Sequence, residues 1–304
     1  LSDQRFFVLF NPGAGRGRGR QRRDAWLELL HRHLRFDYAE TTCHEDIARL
    51  TDKALAEGYR NIVAVGGDGT WSLVADRIVR SGRPDLCLGV LPAGTGNDFG
   101  KSFGVTWQER ESAVRAMAEG RSREVDVGRV EGRHFLNVFG CGFDVACIDD
   151  ASRFTLLRGE LLYKYCALRQ LFRYRGKPLS ISVDGGQESV GPSLLVVISN
   201  ARYFGGSFDI APWADLSDGK LDMVAVGDAG PFQRARLFQT VSAGRHKDGG
   251  LIRIRSAPSF TLEFEPPMRY ELDGEVYATN APSIHVESVP AALEVFSPQG
   301  ELRD

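Results

Sequence analysis

Short, wholly apolar runs alternate with helical spacing over the first third of the chain. Phe6 to Phe10 reads as a strand buried on both faces, because it offers no polar side to water. Helical spacing follows from about Arg22 to Leu34 and from Asp46 to Glu57, Asn61 to Val65 is a second strand, Leu73 to Val79 is helical, and Leu86 to Leu91 is a third strand. This alternation predicts an α/β domain with a mostly parallel sheet, which binds ligands beyond the carboxyl ends of its strands. After about Val125 the rhythm changes. Leu179 to Val183, Leu194 to Ser199, Leu221 to Val226, Leu251 to Ile254 and Phe260 to Phe264 follow one another, interrupted by helical candidates at Phe154 to Tyr174 and Pro231 to Ala243. That pattern predicts a β-rich second domain. The division is drawn as residues 1–124 and 125–304, with the last few residues packing back on the first domain.

Composition narrows the partners. The 304 residues are enough for two domains, each with its own core. Lys plus Arg number 38 against 40 Asp plus Glu, a formal charge of −2, so no general attraction to nucleic acid is expected. No run of about 18 apolar residues occurs, which excludes a transmembrane helix. No basic stretch leads into an apolar run with a small-residue cleavage site, so nothing reads as a signal peptide, and the cysteine usage fits a cytoplasmic compartment. The five cysteines, Cys43, Cys87, Cys141, Cys147 and Cys166, form no C-x-x-C pair and read as reduced thiols in apolar or helical surroundings. The six histidines form no zinc pattern.

Three glycine-rich turns carry the candidate chemistry: residues 11–19, Gly66-Gly-Asp-Gly-Thr70, and Pro92-Ala-Gly-Thr-Gly-Asn-Asp-Phe-Gly100. Each follows a strand and precedes a helix. Glycine lets backbone N–H groups approach a phosphate closely, and a helix amino terminus favours the anion. A single such turn is as readily a plain turn; three in one domain favour a phosphate site. The first is neither a Walker A loop nor a G-x-G-x-x-G fingerprint. Asp98-Phe99-Gly100 spells a protein-kinase magnesium motif, but its partner motifs are missing and the match is coincidental.

Gly66-Gly-Asp-Gly-Thr70 after a buried strand resembles NAD kinases, phosphofructokinases and the diacylglycerol and sphingosine kinase superfamily. Together with Asn11-Pro12, Leu91-Pro-Ala-Gly-Thr-Gly-Asn-Asp-Phe99, Asp218-Gly-Lys-Leu-Asp222 and Asp273-Gly-Glu275, the chain resembles the bacterial diacylglycerol kinase-like lipid kinases. Phe135-Leu-Asn-Val-Phe-Gly-Cys-Gly-Phe-Asp144 and Tyr203-Phe-Gly-Gly206 extend the resemblance over nearly the whole chain.

The resemblance implies an ATP-binding α/β domain, a β-sandwich second domain and ATP in the cleft between them. It assigns Asn11, Gly13, Gly15 and Thr42 to the nucleotide, with Thr41 a close second to Thr42. Gly66, Gly67, Asp68, Gly69 and Thr70 would cradle the phosphates, and Thr95 would add a hydroxyl. Asp68 has three readings, as magnesium ligand, phosphate-side organiser or base, beside the plain one of an Asp that shapes a turn. The family usually continues with Asn-Glu where this chain has Trp71-Ser72-Leu73, which bears on any contact made at the helix start. The proton-accepting role falls on Asp273, with Glu275 in reserve; the plain reading of Asp-Gly there is a hairpin turn. A magnesium site would use the Asp218 carboxylate with the carbonyls of Asp215 and Lys220, joined through water by Asp126; its plain reading is also a turn.

From Arg153 to Lys177 seven basic residues stand against one acid, Glu160, while Phe154, Leu157, Leu161, Tyr165, Leu168 and Phe172 share one helical face. Such a helix suits an anionic bilayer, or its apolar face belongs to the core. The run Arg16, Arg18, Arg20, Arg22 and Arg23 suits an anionic partner or is solvated. The function expected is ATP- and magnesium-dependent phosphorylation of a hydroxyl on diacylglycerol or a related membrane lipid, in phospholipid biosynthesis, at a membrane surface, without nucleic acid. A homodimer is allowed but not specified. The rivals are a kinase of a soluble substrate such as NAD and a catalytically silent nucleotide- or lipid-binding protein.

Overall fold

The computed structural model describes residues 5–153, 160–183, 186–206 and 208–302, and the side chains of all these except 152, 153, 160–164, 167, 187–190 and 302. The chain begins with β1 (Arg5–Phe10), α1 (Ala14–His33), β2 (Arg35–Glu40), α2 (Glu45–Ala56), β3 (Asn61–Gly66), α3 (Asp68–Arg80) and β4 (Cys87–Pro92). There follow α4 (Asp98–Ser102), α5 (Arg110–Glu119) and β5 (Arg121–Val130). β2, β1, β3 and β4 lie side by side and parallel, with β1 and β3 in the middle. Those central strands are buried almost throughout, as their unbroken apolar runs require. Helices α1 and α5 pack together, as do α2 and α3.

β2 has no counterpart in the hydrophobic pattern. Its sequence, Arg-Phe-Asp-Tyr-Ala-Glu, is half polar because it is an edge strand with partial exposure along its length. Arg5 on β1 pairs with Asp37 at 2.8 Å and Arg23 on α1 with Glu40 at 2.5 Å, so charge covers the edge that would otherwise invite another strand.

The remaining elements are β6 (Arg133–Phe135), β7 (Val138–Gly142), α6 (Phe143–Arg153), α7 (Glu160–Arg173), β8 (Lys177–Val183), β9 (Gly186–Ser199), β10 (Tyr203–Phe204), β11 (Phe208–Asp209), β12 (Leu221–Gly227) and α8 (Pro231–Ser242). They end with β13 (Ile252–Ala257), β14 (Ser259–Phe264), β15 (Met268–Leu272), β16 (Glu275–Thr279), β17 (Ser283–Phe296) and β18 (Glu301–Leu302). The chain divides into two units, Leu1–Val127 with Ala291–Asp304, and Gly128–Pro290. In the first, the end of β17 runs parallel to β4 and β18 pairs with the start of β5.

The second unit is an antiparallel sandwich. β9 is long enough to serve both halves: residues up to Ser193 pair with β8, and those from Leu195 pair with β7 and β12. Alternation along each strand sorts the side chains between two cores. Phe139, Ile198, Met223 and Tyr270 join Phe260, Leu262 and Ile284 in one, whereas Val138, Val197 and Val224 face Phe143, Leu171 and Val241 in the other. α6 was not legible in the pattern. Gly142, at φ +110°, turns the chain from β7 straight into the helix, so no polar loop marks the change. The helix expected at Phe154 to Tyr174 is present as α7; residues 154–159 lie outside the described residues.

Among the described residues no helix is long and apolar enough to cross a membrane. All five cysteines are free thiols, four of them buried and Cys43 exposed.

Candidate active site

The three glycine turns meet at the carboxyl ends of β1, β3 and β4. In the first, Asn11 donates its backbone N–H to the Val65 carbonyl at 2.9 Å and its side-chain amide to Thr70 Oγ1 at 2.9 Å, while its Oδ1 accepts the Gly13 N–H at 3.0 Å. Asn11 thus ties the first turn to the second. The helical spacing placed the start of α1 near Arg22; Gly15, Arg16 and Gly17 have positive, non-helical φ and kink the chain, so the continuous helix runs from about Arg18, one turn earlier than expected.

The second and third turns touch backbone to backbone. The Gly66 carbonyl accepts the N–H groups of Ala93 at 2.7 Å and Gly94 at 3.0 Å. A Cβ on Gly94 would stand 2.6 Å from Gly67 Cα, and one on Gly15 2.8 Å from the Ala93 carbonyl oxygen. These glycines are therefore demanded by the approach of three main chains. Asp68 is the first residue of α3, half-buried, and its Oδ1 accepts the Phe99 N–H of the third turn at 3.1 Å. Gly69 and Thr70 lie in the same first helical turn, and Thr95 is exposed at the tip of the third glycine turn.

Thr42 is exposed just before α2, where its N–H and hydroxyl both donate to Asp46 Oδ2, at 2.8 and 2.7 Å. With Arg49 alongside, these bonds hold the Asp46 carboxyl well below the usual carboxylate range. Thr41 is buried, its N–H on the Phe10 carbonyl. The arginine run divides. Arg22 stacks 4.2 Å over Trp107 and Arg23 is engaged by Tyr38 and Glu40, leaving Arg18 and Arg20 exposed at the helix start.

Trp71 points away from the phosphate side. It is fully buried, its Nε1–H donates to the Ala64 carbonyl of β3 at 3.0 Å, and Gly100 leaves room for its ring. Trp71→Phe is expected to keep most of the packing and lose that bond, lowering stability by about 1–2 kcal/mol in urea unfolding.

In the sandwich unit, Asp273 at φ +49° and Gly274 at φ +92° form the two-residue hairpin between β15 and β16. The side chain does more than turn. Its carboxylate accepts the N–H groups of Leu136 at 2.7 Å, Asn137 at 2.8 Å and Val138 at 2.9 Å. Asn200 grips the same segment, donating its side-chain amide to the Leu136 carbonyl at 2.9 Å and its N–H to the Asn137 carbonyl at 2.7 Å. Sequence reasoning missed Asn200, whose only signal is its place at the end of an apolar strand. Glu275 opens β16 opposite Leu272, half-buried.

Asp215 and Asp218 spend one oxygen each on their own turn, Asp215 on Ser217 and Asp218 on the Lys220 N–H at 3.0 Å. Carboxylate and carbonyl oxygens suit a hard divalent cation. Among the described residues no three His, Cys, Asp or Glu side chains converge as a metal cluster, so an ion there would lean on carbonyls and water. Asp126, buried, accepts the Ala291 N–H at 2.8 Å.

Residues 5–130 match the diacylglycerol kinase catalytic domain, and residues 137–297 match the YegS C-terminal NAD kinase beta sandwich-like domain. The diacylglycerol kinase of Mycobacterium tuberculosis is 31% identical over 301 residues, covering 96% of this chain and 94% of that protein. This chain belongs to the diacylglycerol kinase family. The diacylglycerol kinase of Bacillus subtilis is 27% identical over 282 residues, 88% of each chain. A crystal structure of a diacylglycerol kinase from Bacillus anthracis shares the fold, with a TM-score of 0.74 at 21% identity over 97% of both chains. Within this family membership, the turns that meet around Gly66 and Gly94 lie in the catalytic-domain match and the Asp273 hairpin in the sandwich match.

Proposed function

We propose that this diacylglycerol kinase-family chain transfers the γ-phosphoryl group of ATP to a hydroxyl of diacylglycerol or a related membrane lipid. The observation that carries the reading is the backbone cradle of Gly66, Gly67 and Gly94 at the start of α3, where N–H groups and the helix dipole suit a polyphosphate. Asn11, Gly13, Gly15, Gly69, Thr70 and Thr95 border the same turns, and Thr42 or Thr41 stands at the end of β2. Asp68 is the carboxylate that would meet magnesium at the phosphates, where a bound ion neutralises phosphate charge, while Asp218 with the carbonyls of Asp215 and Lys220 would hold a separate, structural magnesium.

The lipid hydroxyl oxygen attacks the γ-phosphorus, its bond to the β–γ bridging oxygen breaks, ADP leaves, and the hydroxyl proton passes to a carboxylate, here Asp273. The transition state is loose, so positioning matters more than basicity. A carboxylate fixed by three N–H groups suits that task. The sandwich unit also contains a cavity of about 600 Å³, where Val145, Leu179, Val196, Phe264 and Met268 stand beside the charged Asp149, Lys177, Glu265 and Arg269, a mixed lining that suits an amphipathic molecule such as a lipid.

The apolar face read from the sequence is, where described, on the outside of α7: Tyr165, Leu168 and Phe172 are exposed, while Cys166 and Leu171 face inward. Phe154, Leu157 and Leu161 lie outside the residues whose side chains are described. With Arg173, Arg175 and Lys177 following, this face supports docking on an anionic bilayer. Leu168→Glu with Phe172→Glu is expected to weaken co-sedimentation with phosphatidylglycerol vesicles at least tenfold, leaving the melting temperature unchanged. Equal binding by both proteins removes α7 from the membrane contact.

Incubation with radiolabelled ATP, magnesium and a total lipid extract in mixed micelles tests the reaction. Label in the organic phase supports a lipid acceptor and begins to identify it. Label confined to a water-soluble product overturns the lipid assignment.

A further inference from the structure

Two helices, α7 and α8, cover one apolar core of the sandwich unit. Leu171 of α7, Tyr174 just after it, and Leu237, Phe238 and Val241 of α8 pack on that core, where the Phe238 ring meets Phe143 and Phe208 at 6.3 and 5.0 Å. The end of one helix is locked to the start of the other. Arg234, in the first turn of α8 and 6% exposed, donates Nη1 to the carbonyls of Leu171 at 2.9 Å and Tyr174 at 2.6 Å, and Nε to Asp228 at 3.0 Å. Asp228 in turn accepts the Gly176 N–H at 2.8 Å, so the segment after α7 is held to the segment before α8.

Helical spacing then decides what α8 shows to water. Arg234, Leu237, Phe238 and Val241 recur at steps of three and four and form the inner face, whereas Phe232 stands two residues from Arg234, about 200° around the helix. Phe232 is 92% exposed. Ala235, Arg236 and Gln239 share its side. At that exposure the ring adds almost nothing to the core, and a polar residue would serve folding as well. A single exposed apolar residue is ordinary. This one has company, because α7 turns Tyr165, Leu168 and Phe172 outward from the same core, and Phe172 directly follows Leu171, whose carbonyl holds Arg234.

The charge around these rings has one sign. Residues 161–177 and 229–247 contain no Asp or Glu. Arg173, Arg175 and Lys177 after α7, and Arg236, Arg245 and Lys247 on and after α8, are exposed. Aromatic side chains ringed by cations complement a surface that is negative at its headgroups and apolar beneath them, which is an anionic bilayer.

We propose that α8 is a second membrane-docking element and that Phe232 inserts into an anionic bilayer beside the exposed face of α7. This deepens the bilayer reading of α7 and rests on the same membrane role, but on different residues. The Arg234 clamp makes the two helices one surface, so Phe172 and Phe232 enter together.

Cys43 is exposed and the other four cysteines are buried, so Cys43→Ser with Phe232→Cys leaves one reactive thiol, at position 232, for a nitrobenzoxadiazole label. On phosphatidylglycerol vesicles its emission is expected to rise about threefold and shift to the blue, with no change on phosphatidylcholine vesicles. Phe232→Glu in the otherwise unaltered chain is expected to weaken co-sedimentation with phosphatidylglycerol vesicles about tenfold, the scale of one large side chain withdrawn from an apolar phase, at an unchanged melting temperature. Water-like emission from protein that has sedimented with the vesicles overturns the proposal, as does a chain that binds no vesicles. A blue shift that grows with protein concentration in the absence of vesicles also overturns it and puts a second copy of the chain on this face. The readings separate. A labelled chain that inserts but phosphorylates no lipid in micelles refutes the lipid-kinase reading and leaves the docking standing, whereas phosphorylation with unmoved emission does the reverse. Insertion at 232 with equal binding by the Leu168→Glu, Phe172→Glu protein removes α7 alone.

Discussion

Asp273→Asn is expected to lower kcat about a thousandfold on a lipid acceptor, the scale of losing a positioned proton acceptor. The backbone is not the reason, because Asn tolerates positive φ as well as Asp does. The change acts on the carboxylate. Asn has one acceptor oxygen and turns a donor toward a segment where Leu136, Asn137 and Val138 all present N–H groups. Stability should fall by about 1–3 kcal/mol as one of those donors loses its partner. The two effects separate experimentally. Circular dichroism and urea unfolding establish how much folded protein remains, and turnover is then measured per folded molecule. A thousandfold loss in folded D273N supports proton acceptance. A loss of less than tenfold makes Asp273 an anchor for residues 136–138 only and moves the acceptor role to Glu275, whose Gln variant is otherwise expected to retain activity within about threefold.

The second large effect is expected at Gly94. In Gly94→Ala the added Cβ meets Gly67 Cα at 2.6 Å and Asn97 Oδ1 at 2.9 Å. Neither neighbour is free to yield. Gly67 is main chain at the start of α3, and Asn97 Oδ1 already accepts the Gly94 N–H at 3.0 Å. The second and third turns must separate, at a cost of about 1–3 kcal/mol in stability typical of overpacking. ATP affinity, measured by calorimetry on the folded variant, is expected to drop at least a hundredfold, because pushing the third turn off the second displaces the start of α3, whose first-turn N–H groups face the phosphates in the proposed site. Gly191→Ala is the control, since a Cβ there meets nothing within 4 Å. Unchanged nucleotide affinity in folded G94A would take the third turn out of the nucleotide site.

How much of this was legible in the sequence differs element by element. Strands such as Phe6 to Phe10 and Asn61 to Val65 could be read because burial on both faces forces an unbroken apolar run. Edge strand β2 could not, since half its side chains face water and its polar residues serve as edge protection. The apolar spacing along α7 marks a face, yet periodicity does not say which side is the core: Tyr165, Leu168 and Phe172, the members of that face with described side chains, are outside. Trp71-Ser72-Leu73 drew notice as a departure at the phosphate turn. The fold turns Trp71 onto β3 instead, where a large ring needs a deep site and an acceptor for its N–H.

By itself the sequence determined what depends on near neighbours: the α/β rhythm, the change to β-rich order, and the glycine turns that mark close approach of backbone. Family membership was also legible, because its motifs are local strings. Tertiary structure alone decided which distant groups share an environment. That Asp273 receives three N–H groups from residues 136–138 follows from the pairing of β15 with β7, and that α8 starts beside the end of α7 follows from Arg234 reaching back to the Leu171 carbonyl. A carboxyl's charge and its hydrogen bonds are set by the groups around it in space, and a chain read in order carries no record of which distant residues those will be.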